Sequence, residues 1–133
     1  MLKLSKYFSD YEVRCHGPEQ GTCNCGGSSP VDRRLLELLD KFRERIGKPV
    51  YLSCAFRCLT HNKACGSGDT SQHPRGCAAD ISRIAGLDID EMARIALYVG
   101  FDGVGYYDWG IHVDVRNEGG KPDIVFDKRR NAR

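Results

Sequence analysis

Residues 71–80 read Ser-Gln-His-Pro-Arg-Gly-Cys-Ala-Ala-Asp. Pro74 and Gly76 predict a turn directly after His73, and the small residues that follow predict a tightly packed strand that contains Asp80. A buried carboxylate needs a partner, because desolvating a lone charge is costly. A metal ion shared by His73 and Asp80 would be such a partner, since zinc accepts imidazole and carboxylate ligands at about 2.0–2.2 Å. A catalytic zinc site has three protein ligands, so the third must come from elsewhere in the chain.

Residues 110–116, Gly-Ile-His-Val-Asp-Val-Arg, offer that third ligand. His112, Asp114 and Arg116 alternate with aliphatic residues, and this period of two predicts a strand with its polar side chains on one face. An apolar-rich run at 101–107 precedes the strand, which predicts a hairpin with a short connecting loop. On its own, the strand is equally consistent with a hydrated polar face. Together with the first stretch, it favours a metal site completed by His112.

The composition is that of an ordinary small globular domain. The chain has 133 residues, 41% of them hydrophobic and 29% charged, which suits one domain with one core. Its net charge of +2 predicts no broad nucleic-acid surface, and its apolar runs are too short to predict a membrane span. The N-terminal sequence lacks the apolar core of a signal peptide, so we expect a protein that is made in the cytoplasm and acts outside only after release. A basic cluster near the C-terminus predicts a solvated tail, with binding of an anionic polymer as the alternative: Lys128, Arg129, Arg130 and Arg133.

Capping residues and hydrophobic periodicity predict the remaining elements. In the first part of the chain we expect a short helix with a capping box of Ser9 and Glu12, an irregular loop at 14–29, and a helix capped by Ser29 and ended by Gly47. A strand at 49–54 and a short helix capped by Thr60 follow. In the second part we expect a helix that is opened by Asp88 or Asp90 and ends near Val99, and an edge strand at 124–126. This order predicts an α+β fold in which a small antiparallel sheet carries the site and the helices pack on one side. We expect a single domain over 1–133, with its core at about 8–116 and a polar, basic tail at 117–133.

The cysteines predict a second metal site. Seven cysteines are many for this length, and an odd number cannot all pair within one chain. A reducing cytoplasm argues against a disulfide framework, which leaves metal binding as the competing use. Cys15, Cys23 and Cys25 lie on one predicted loop, and with Cys58 they are the best candidates for a closed, four-ligand structural zinc site. Disulfides formed after release are the alternative for these residues.

The two stretches together resemble a known family. The pattern Ser-x-His-x-x-Gly-x-Ala-x-Asp at 71–80, followed by a histidine on a distal strand, resembles the zinc D-Ala-D-Ala carboxypeptidase and L-alanyl-D-glutamate peptidase family. That family has the hedgehog/D,D-peptidase fold and includes many phage endolysins. Residues 53–62, Ser-Cys-Ala-Phe-Arg-Cys-Leu-Thr-His-Asn, are similar to the family's Ser-Gly-Tyr-Arg-Cys-Pro-x-His-Asn segment. Residues 103–107 and 111–116 match a small branch of the family, so the resemblance covers nearly the whole domain.

The resemblance implies roles for several side chains. It implies one catalytic zinc ion held by three ligands: His73, Asp80 and His112. It also implies that Arg57 points into the cleft and binds a substrate carboxylate or the developing oxyanion, for which a guanidinium offers a rigid fork of donors. A surface ion pair is the alternative role for Arg57. Ser71 and Gln72 would position either the loop or a substrate amide.

The sequence departs from the family at the general base. Larger family members carry an acidic residue three positions before the last zinc histidine, where this chain has Trp109. Asp114 and Asp108 are the two candidates that remain. We favour Asp114, because the strand fixes its side chain on the same face as the last ligand. The alternative role for Asp114 is a support that orients a ligand.

The implied function is metal-assisted hydrolysis of amide bonds in peptidoglycan stem peptides or cross-links. Zinc would lower the pKa of a bound water, and a carboxylate would accept its proton. We expect a monomeric zinc peptidase of the D,D-carboxypeptidase/endopeptidase type that acts as a phage or prophage lysis enzyme. The alternative from a different class is a non-catalytic, zinc-stabilised module for binding or virion assembly on the same fold, which the missing acid at Trp109 favours. A zinc nuclease would need a nucleic-acid surface that the net charge of +2 does not provide.

Overall fold

The computed structural model describes residues 2–26, 30–67, 71–116 and 124–130. Three helices precede the first strand, one helix lies between each of the next two pairs of strands, and the last three strands follow one another. A 3₁₀ turn at His73–Arg75 precedes the second strand. The helices are α1 (Asp10–Val13), α2 (Gly17–Gln20), α3 (Arg33–Ile46), α4 (Leu59–Ala64) and α5 (Ile89–Val99). The strands are β1 (Leu52–Cys54), β2 (Ala78–Ser82), β3 (Gly103–Tyr106), β4 (Gly110–Asp114) and β5 (Ile124–Asp127).

The five strands form one mixed sheet in the order β1-β2-β4-β3-β5. Neighbouring strands are antiparallel except for β3 and β5, which run parallel. The α+β fold class, the hairpin of β3 and β4, and the edge position of the last strand are therefore confirmed. The predicted antiparallel pairing holds for the first four strands and not for the edge strand, because the hydrophobic pattern of a strand indicates its faces but not its direction.

Several helix boundaries follow from capping residues. The predicted capping box of Ser9 and Glu12 is confirmed at α1, and Asp88 caps α5 as one of the two predicted alternatives. Gly47 ends α3 in the left-handed conformation, with a φ of 73°, which glycine adopts without steric cost. Asp32 caps the start of α3, so the prediction that Ser29 caps this helix is wrong; Ser29 itself lies outside the described residues.

Two local predictions are wrong. Thr60 was the expected cap of α4, but the helix begins at Leu59, two residues earlier than a Thr60 cap would place it. Its cap is Cys58, whose sulfur accepts a hydrogen bond from the backbone N–H of His61. The predicted irregular loop contains the short helix α2, which has Pro18 in its first turn and ends at Gly21. Proline is well suited to a first helical turn, because its missing N–H has no helical partner there.

The core lies between one face of the sheet and the helices α3 and α5. Ile81, Ile111 and Val113 are fully buried in a cluster with α3 and α5 side chains, among them Leu35 and Met92. Successive side chains on a strand point to opposite faces. The polar residues that alternate with these aliphatic residues therefore lie on the other face of the sheet, away from α3 and α5.

The basic residues after β5 are only partly a solvated tail. Arg129 donates to Asp127 at 2.6 Å and to Asp90 at 3.1 Å, and its guanidinium lies 4.8 Å from the ring centre of Tyr106. The prediction of a solvated tail is wrong for Arg129, because the edge strand brings it back over the sheet. The side chain of Arg130 is 91% exposed, as expected. Arg133 lies outside the described residues.

Among the residues that the structure describes, no helix has the length and apolar character to cross a membrane.

Candidate metal centre

One transverse row of the sheet brings the candidate ligands together. Across neighbouring strands, Cys54 pairs with Asp80, Asp80 with His112, His112 with Gly105, and Gly105 with Phe126. Residues paired in this way place their side chains on the same face of a sheet. The row therefore gathers a thiol, a carboxylate and an imidazole on the face opposite α3 and α5. Its centre is Asp80, whose side chain is 15% exposed.

His73 reaches the same point from the 3₁₀ turn. Its Nε2 lies 3.2 Å from Oδ1 of Asp80, and Nδ1 of His112 lies 3.1 Å from the same oxygen. The two imidazole rings meet edge to face, with their centres 5.4 Å apart. The structure thus brings together the three residues that the sequence predicts as zinc ligands, and a single carboxylate oxygen is the contact that they share.

The far nitrogen of each imidazole is already engaged. Nδ1 of His73 lies 2.6 Å from the backbone carbonyl of Ala55, and Nε2 of His112 lies 2.8 Å from Oδ2 of Asp114. A carbonyl and a carboxylate are acceptors, so each of these nitrogens carries the proton. Whenever the rings are neutral, the nitrogens that face Asp80 are therefore the ones that carry the lone pairs. Two nitrogen lone pairs and a carboxylate oxygen that face one another repel unless a proton or a cation lies between them.

When no metal is bound, protons on the ring nitrogens reduce this repulsion. Burial lowers the pKa of His73, but its hydrogen bond with Asp80 outweighs this effect and raises the pKa to about 9. Burial likewise lowers the pKa of His112, and its bonds to Asp114 and Asp80 raise it above the usual value. Burial raises the pKa of Asp80, but its bonds to the two histidines hold the pKa well below the usual range. Without a metal, the ionised Asp80 carboxylate favours protonation of both imidazoles, and a divalent cation could replace those protons.

The donor set fits zinc. Two imidazole nitrogens and a carboxylate oxygen are common ligands of a catalytic zinc ion. In a tetrahedral site with metal–ligand distances of 2.0–2.1 Å, neighbouring ligand atoms are about 3.3 Å apart, which is about 1.63 times the metal–ligand distance. The contacts of Asp80 with the two histidines, 3.2 and 3.1 Å, are close to that separation.

The family of the chain follows from a comparison with known proteins. The family described as Peptidase M15 matches residues 6–116, a span that contains every candidate ligand. The chain belongs to the peptidase M15 family. Membership makes this M15 domain a metallopeptidase of a zinc-dependent family. No curated protein matches the sequence closely enough to add an individual relative.

Asp114 of the M15 domain is enclosed behind His112. Its side chain is fully buried, and its carboxylate accepts from Nε2 of His112 at 2.8 Å. Arg116 donates to the two oxygens at 2.9 and 2.6 Å. Burial raises the pKa of Asp114, but the bonds to His112 and Arg116 outweigh it and lower the pKa to about 2. The predicted role as general base needs an oxygen that faces the reacting water, whereas these contacts lie on the side of the ring away from Asp80. The geometry favours the alternative role, a support that orients His112.

Glycines of β3 make room for this support. Gly103 pairs with Asp114, and a Cβ atom at Gly103 would overlap the Asp114 carboxylate. Gly105 pairs with His112, and a Cβ atom there would overlap the ring of Phe126. Phe126 packs against His112 with ring centres 5.6 Å apart. The two glycines therefore leave space beside the proposed metal ligands, and the Asp114 carboxylate and the Phe126 ring fill it.

Arg57 lies on the loop between β1 and α4 and lacks a hydrogen bond at Nε. That atom is buried and has no hydrogen-bond partner within the described parts of the chain. The charge of Arg57 affects the pKa of Tyr107. Burial raises the pKa of Tyr107, the nearby Asp80 raises it further, and Arg57 lowers it. The charges of both Asp80 and Arg57 thus act on the Tyr107 hydroxyl. A buried donor without an acceptor is costly, which fits a site that receives an anionic group.

The remaining predicted residues lie around this centre. The hydroxyl of Ser71 accepts from the backbone N–H of His73 at 3.4 Å, and the side chain of Gln72 is buried and accepts from the Cys77 thiol at 3.3 Å. Of the two predicted roles for Ser71 and Gln72, these contacts favour positioning of the loop. Asp108 is 54% exposed, and its carboxylate accepts from the backbone N–H of Arg130.

Cys54 is a donor that the sequence did not predict for this centre. Ligand atoms of Cys54, His73 and Asp80 lie within 4.8 Å of one another. The thiol is 3.7 Å from Nδ1 of His73, but that nitrogen is the one that Ala55 engages. The free nitrogen of His73 points toward Asp80, where His112 also points. The set of mutually close ligand atoms contains Cys54 and not His112, so a metal held by His112 would draw its ring closer to that of His73. We favour His112 as the third ligand, because both histidines contact the same oxygen of Asp80.

Other contributors to the centre also escaped the sequence. The Ala55 carbonyl is a backbone group, so no side-chain motif indicates it. Arg116 was expected only as part of a polar strand face, yet it supports Asp114. Trp109 is 42% exposed, and its ring stacks on Tyr107 with centres 4.6 Å apart. The alternation of 110–116 could have indicated Arg116, because residues two apart on a strand lie on the same face.

The four predicted structural ligands also meet. The sulfur atoms of the cluster all lie within 4.8 Å of one another: Cys15, Cys23, Cys25 and Cys58. This cluster lies outside the row of the sheet that contains Asp80. The prediction that these four cysteines form one group is confirmed.

Proposed function

We propose that this M15 domain is a zinc peptidase that hydrolyses amide bonds in the peptide part of peptidoglycan. The observation that carries the proposal is the arrangement around Asp80. Two imidazoles each direct one ring nitrogen toward the same carboxylate oxygen, while their other nitrogens are held by Ala55 and Asp114. Such an arrangement needs either protons on both of the nitrogens that face the carboxylate or a cation between the three groups. A divalent cation makes this arrangement favourable.

The residues around the centre orient its ligands. When bound, zinc supplies Lewis-acid polarisation of the scissile carbonyl and lowers the pKa of water. The Ala55 carbonyl fixes the ring of His73, and Asp114 fixes the ring of His112. The salt bridge between Asp114 and Arg116 keeps the carboxylate in place, with an N–O distance of 2.6 Å. Support of this kind typically changes metal affinity by about 10–100-fold.

Arg57 and Tyr107 are the polar side chains that would contact the substrate. The Arg57 guanidinium would bind a substrate carboxylate or the developing oxyanion through its fork of N–H donors. The Tyr107 hydroxyl keeps its proton at neutral pH, because burial and Asp80 raise its pKa. It can therefore donate a hydrogen bond to the same oxygen. The exposed ring of Trp109, stacked on Tyr107, extends this side into an aromatic surface for the rest of the substrate.

The substrate class comes from the family, and the site is consistent with it. A D,D-carboxypeptidase or endopeptidase cuts beside a carboxylate or an amide of the stem peptide, and Arg57 is a suitable partner for the carboxylate. The protein would act as a monomer on the cell wall after its release from the cell in which it is made. A lysis enzyme of a phage or prophage is the biological setting that these properties favour.

A non-catalytic, zinc-stabilised module for wall binding or virion assembly is the second candidate. The observation that favours it is the enclosure of Asp114, whose oxygens are both engaged, together with Trp109 at the position of the family's acid. Both candidates bind zinc, so metal analysis does not separate them.

Cleavage of purified peptidoglycan tests the proposal. The protein is stripped of metal, reloaded with one equivalent or more of zinc, and incubated with cell walls of several chemistries, and newly released amino groups are counted. We expect release with zinc and none with chelator. His112→Ala should abolish release, and Tyr98→Ala, which removes an aromatic side chain that is 70% exposed on α5, should leave it unchanged. Sedimentation of zinc-loaded protein with walls, without release from any of them, would establish the binding module instead.

A further inference from the structure

Four thiols from separate segments meet on the N-terminal side of the domain. Cys15 lies between α1 and α2, Cys23 and Cys25 follow α2, and Cys58 caps α4. Their sulfur atoms all lie within 4.8 Å of one another, and none of them belongs to the proposed catalytic centre. The cluster therefore raises a separate question, which is what four convergent sulfurs bind.

The sulfur separations match the edges of a metal tetrahedron. Sγ of Cys23 lies 3.8 Å from Sγ of Cys15 and 3.6 Å from Sγ of Cys25. Zinc–thiolate bonds of about 2.3 Å in a tetrahedron place the sulfurs about 3.8 Å apart, since the edge is about 1.63 times the bond. A disulfide would require a separation of about 2.05 Å. One thiol close to two others at tetrahedral spacing is a pattern that a single ion explains and that separate disulfides do not.

Backbone N–H groups surround the sulfurs. The backbone N–H of His61 donates to the Cys58 sulfur at 3.4 Å. The backbone N–H groups of Gly17 and Cys58 act to lower the pKa of Cys15, and that of Cys25 acts to lower the pKa of Cys23. Four thiolates around one zinc ion carry a net charge of −2, and such donors offset it. A Cβ atom at Gly17 would overlap the Cys23 sulfur, so glycine is required for the chain to approach this closely.

The segment around the cluster has little else to hold it. Between residues 16 and 26 only Gly17 is buried, so this part of the chain contributes almost nothing to the apolar core. A short segment of this kind usually needs a disulfide or a metal ion for stability. The cluster would join it to Cys58, which directly follows Arg57 in the sequence.

We propose that Cys15, Cys23, Cys25 and Cys58 bind a second, structural zinc ion in a closed tetrahedral site. The ion ties the segment around α2 to the start of α4 and thereby fixes the loop that carries Arg57. The proposal is independent of the peptidase activity, because a closed four-thiolate site has no open position for substrate. It predicts a full chain with two zinc ions of different character, one held by sulfur alone and the other by nitrogen and oxygen.

Metal stoichiometry and cobalt spectra of the full-length protein test this proposal. After stripping and reloading under reducing conditions, the wild-type chain should bind two zinc ions, and Cys23→Ser and His112→Ala should each bind one. Cys65→Ser, at an exposed thiol outside the cluster, is the matched control and should bind two. Cobalt-loaded His112→Ala should keep the strong near-ultraviolet thiolate band, and Cys23→Ser should lose it.

A wild-type chain that binds one zinc ion and has no thiolate–cobalt band would overturn the proposal. Mass spectrometry after alkylation would then assign the cluster to disulfides if the protein is found oxidised, or to free thiols if it is reduced. The cobalt spectrum of His112→Ala does not depend on the folding of any cysteine variant. A failure of Cys23→Ser to fold therefore leaves the test intact. Absence of wall cleavage with two bound zinc ions would count against the peptidase and not against this site.

Discussion

Asp114→Asn separates the two roles that Asp114 could have. The carboxylate accepts from His112 at 2.8 Å and from Arg116 at 2.9 and 2.6 Å, and the side chain is fully buried. Asparagine keeps the size but replaces one acceptor oxygen with an NH₂ group, which must face a donor of either His112 or Arg116. The substitution leaves all three proposed zinc ligands in place, so its effects report on the support of His112 alone.

The structure sets the expected size of the effect. The pKa of Asp114 is about 2 in place of 3.8, because the bonds to His112 and Arg116 outweigh its burial. At about 1.4 kcal/mol per pKa unit, the ionised form is favoured by about 2–3 kcal/mol. Loss of hydrogen bonds to a charged group is of the same order. We expect the metal-free variant to be less stable by about 2–3 kcal/mol and to melt about 10 °C lower.

Zinc affinity and turnover are then measured on the same variant. If Asp114 orients His112, competition with a chromogenic chelator should show zinc affinity about 10–100-fold weaker, and kcat at saturating zinc should recover to within about tenfold of wild type. Unchanged zinc affinity with kcat about 100-fold lower at saturating zinc would refute this account and make Asp114 the general base. Asp108→Asn is the control at an exposed carboxylate, and both quantities should stay near their wild-type values. A dead Asp108→Asn with normal zinc binding would place the base on the hairpin loop.

Three further predictions concern the surroundings of the centre. Gly103→Ala should lower zinc affinity and destabilise the protein by about 1–3 kcal/mol, because the new methyl group overlaps the Asp114 carboxylate; unchanged zinc titration and melting curves would contradict this. Arg57→Lys should reduce kcat/KM by about 100-fold with normal zinc content, because an ammonium lacks the fork of donors; full activity would assign Arg57 to the surface. In the metal-free protein, the pKa of His73 is about 9 against 6.5 unfolded, so the stability from its protonation is present below pH 6.5 and is lost as the pH rises through 9. Melting curves of chelated protein should show this loss, and zinc should remove it.

The sequence predicted the site where local patterns determine side-chain direction. The period of two in 110–116 placed His112 and Asp114 on one face, and the turn at Pro74 and Gly76 placed His73 beside the strand of Asp80. The caps of α1 and α5 could be predicted for the same reason, since a cap is a contact between residues close in sequence. These features depend on a few neighbouring residues and can be recognised without a structure.

The remainder depends on contacts between distant residues. Asp114 and His112 share a face, but which nitrogen of the His112 ring Asp114 contacts depends on the orientation of that ring, which Asp80 and Phe126 help to set through the tertiary structure. The parallel direction of β5 follows from its pairing with β3, which the pattern of residues 124–126 does not specify. Cys58 rather than Thr60 caps α4. Cys58 also belongs to the cysteine cluster with Cys15, and that cluster forms only when the chain is folded.

An anomalous difference map recorded at the zinc edge from a crystal of the zinc-loaded protein tests the central claim most directly. The account predicts one peak within about 2.0–2.2 Å of Nε2 of His73, Oδ1 of Asp80 and Nδ1 of His112. It predicts a second peak about 2.3 Å from each of the four sulfurs of the cysteine cluster. A peak on the other nitrogen of His73 with Cys54 as a ligand, or no peak beside Asp80, would contradict it.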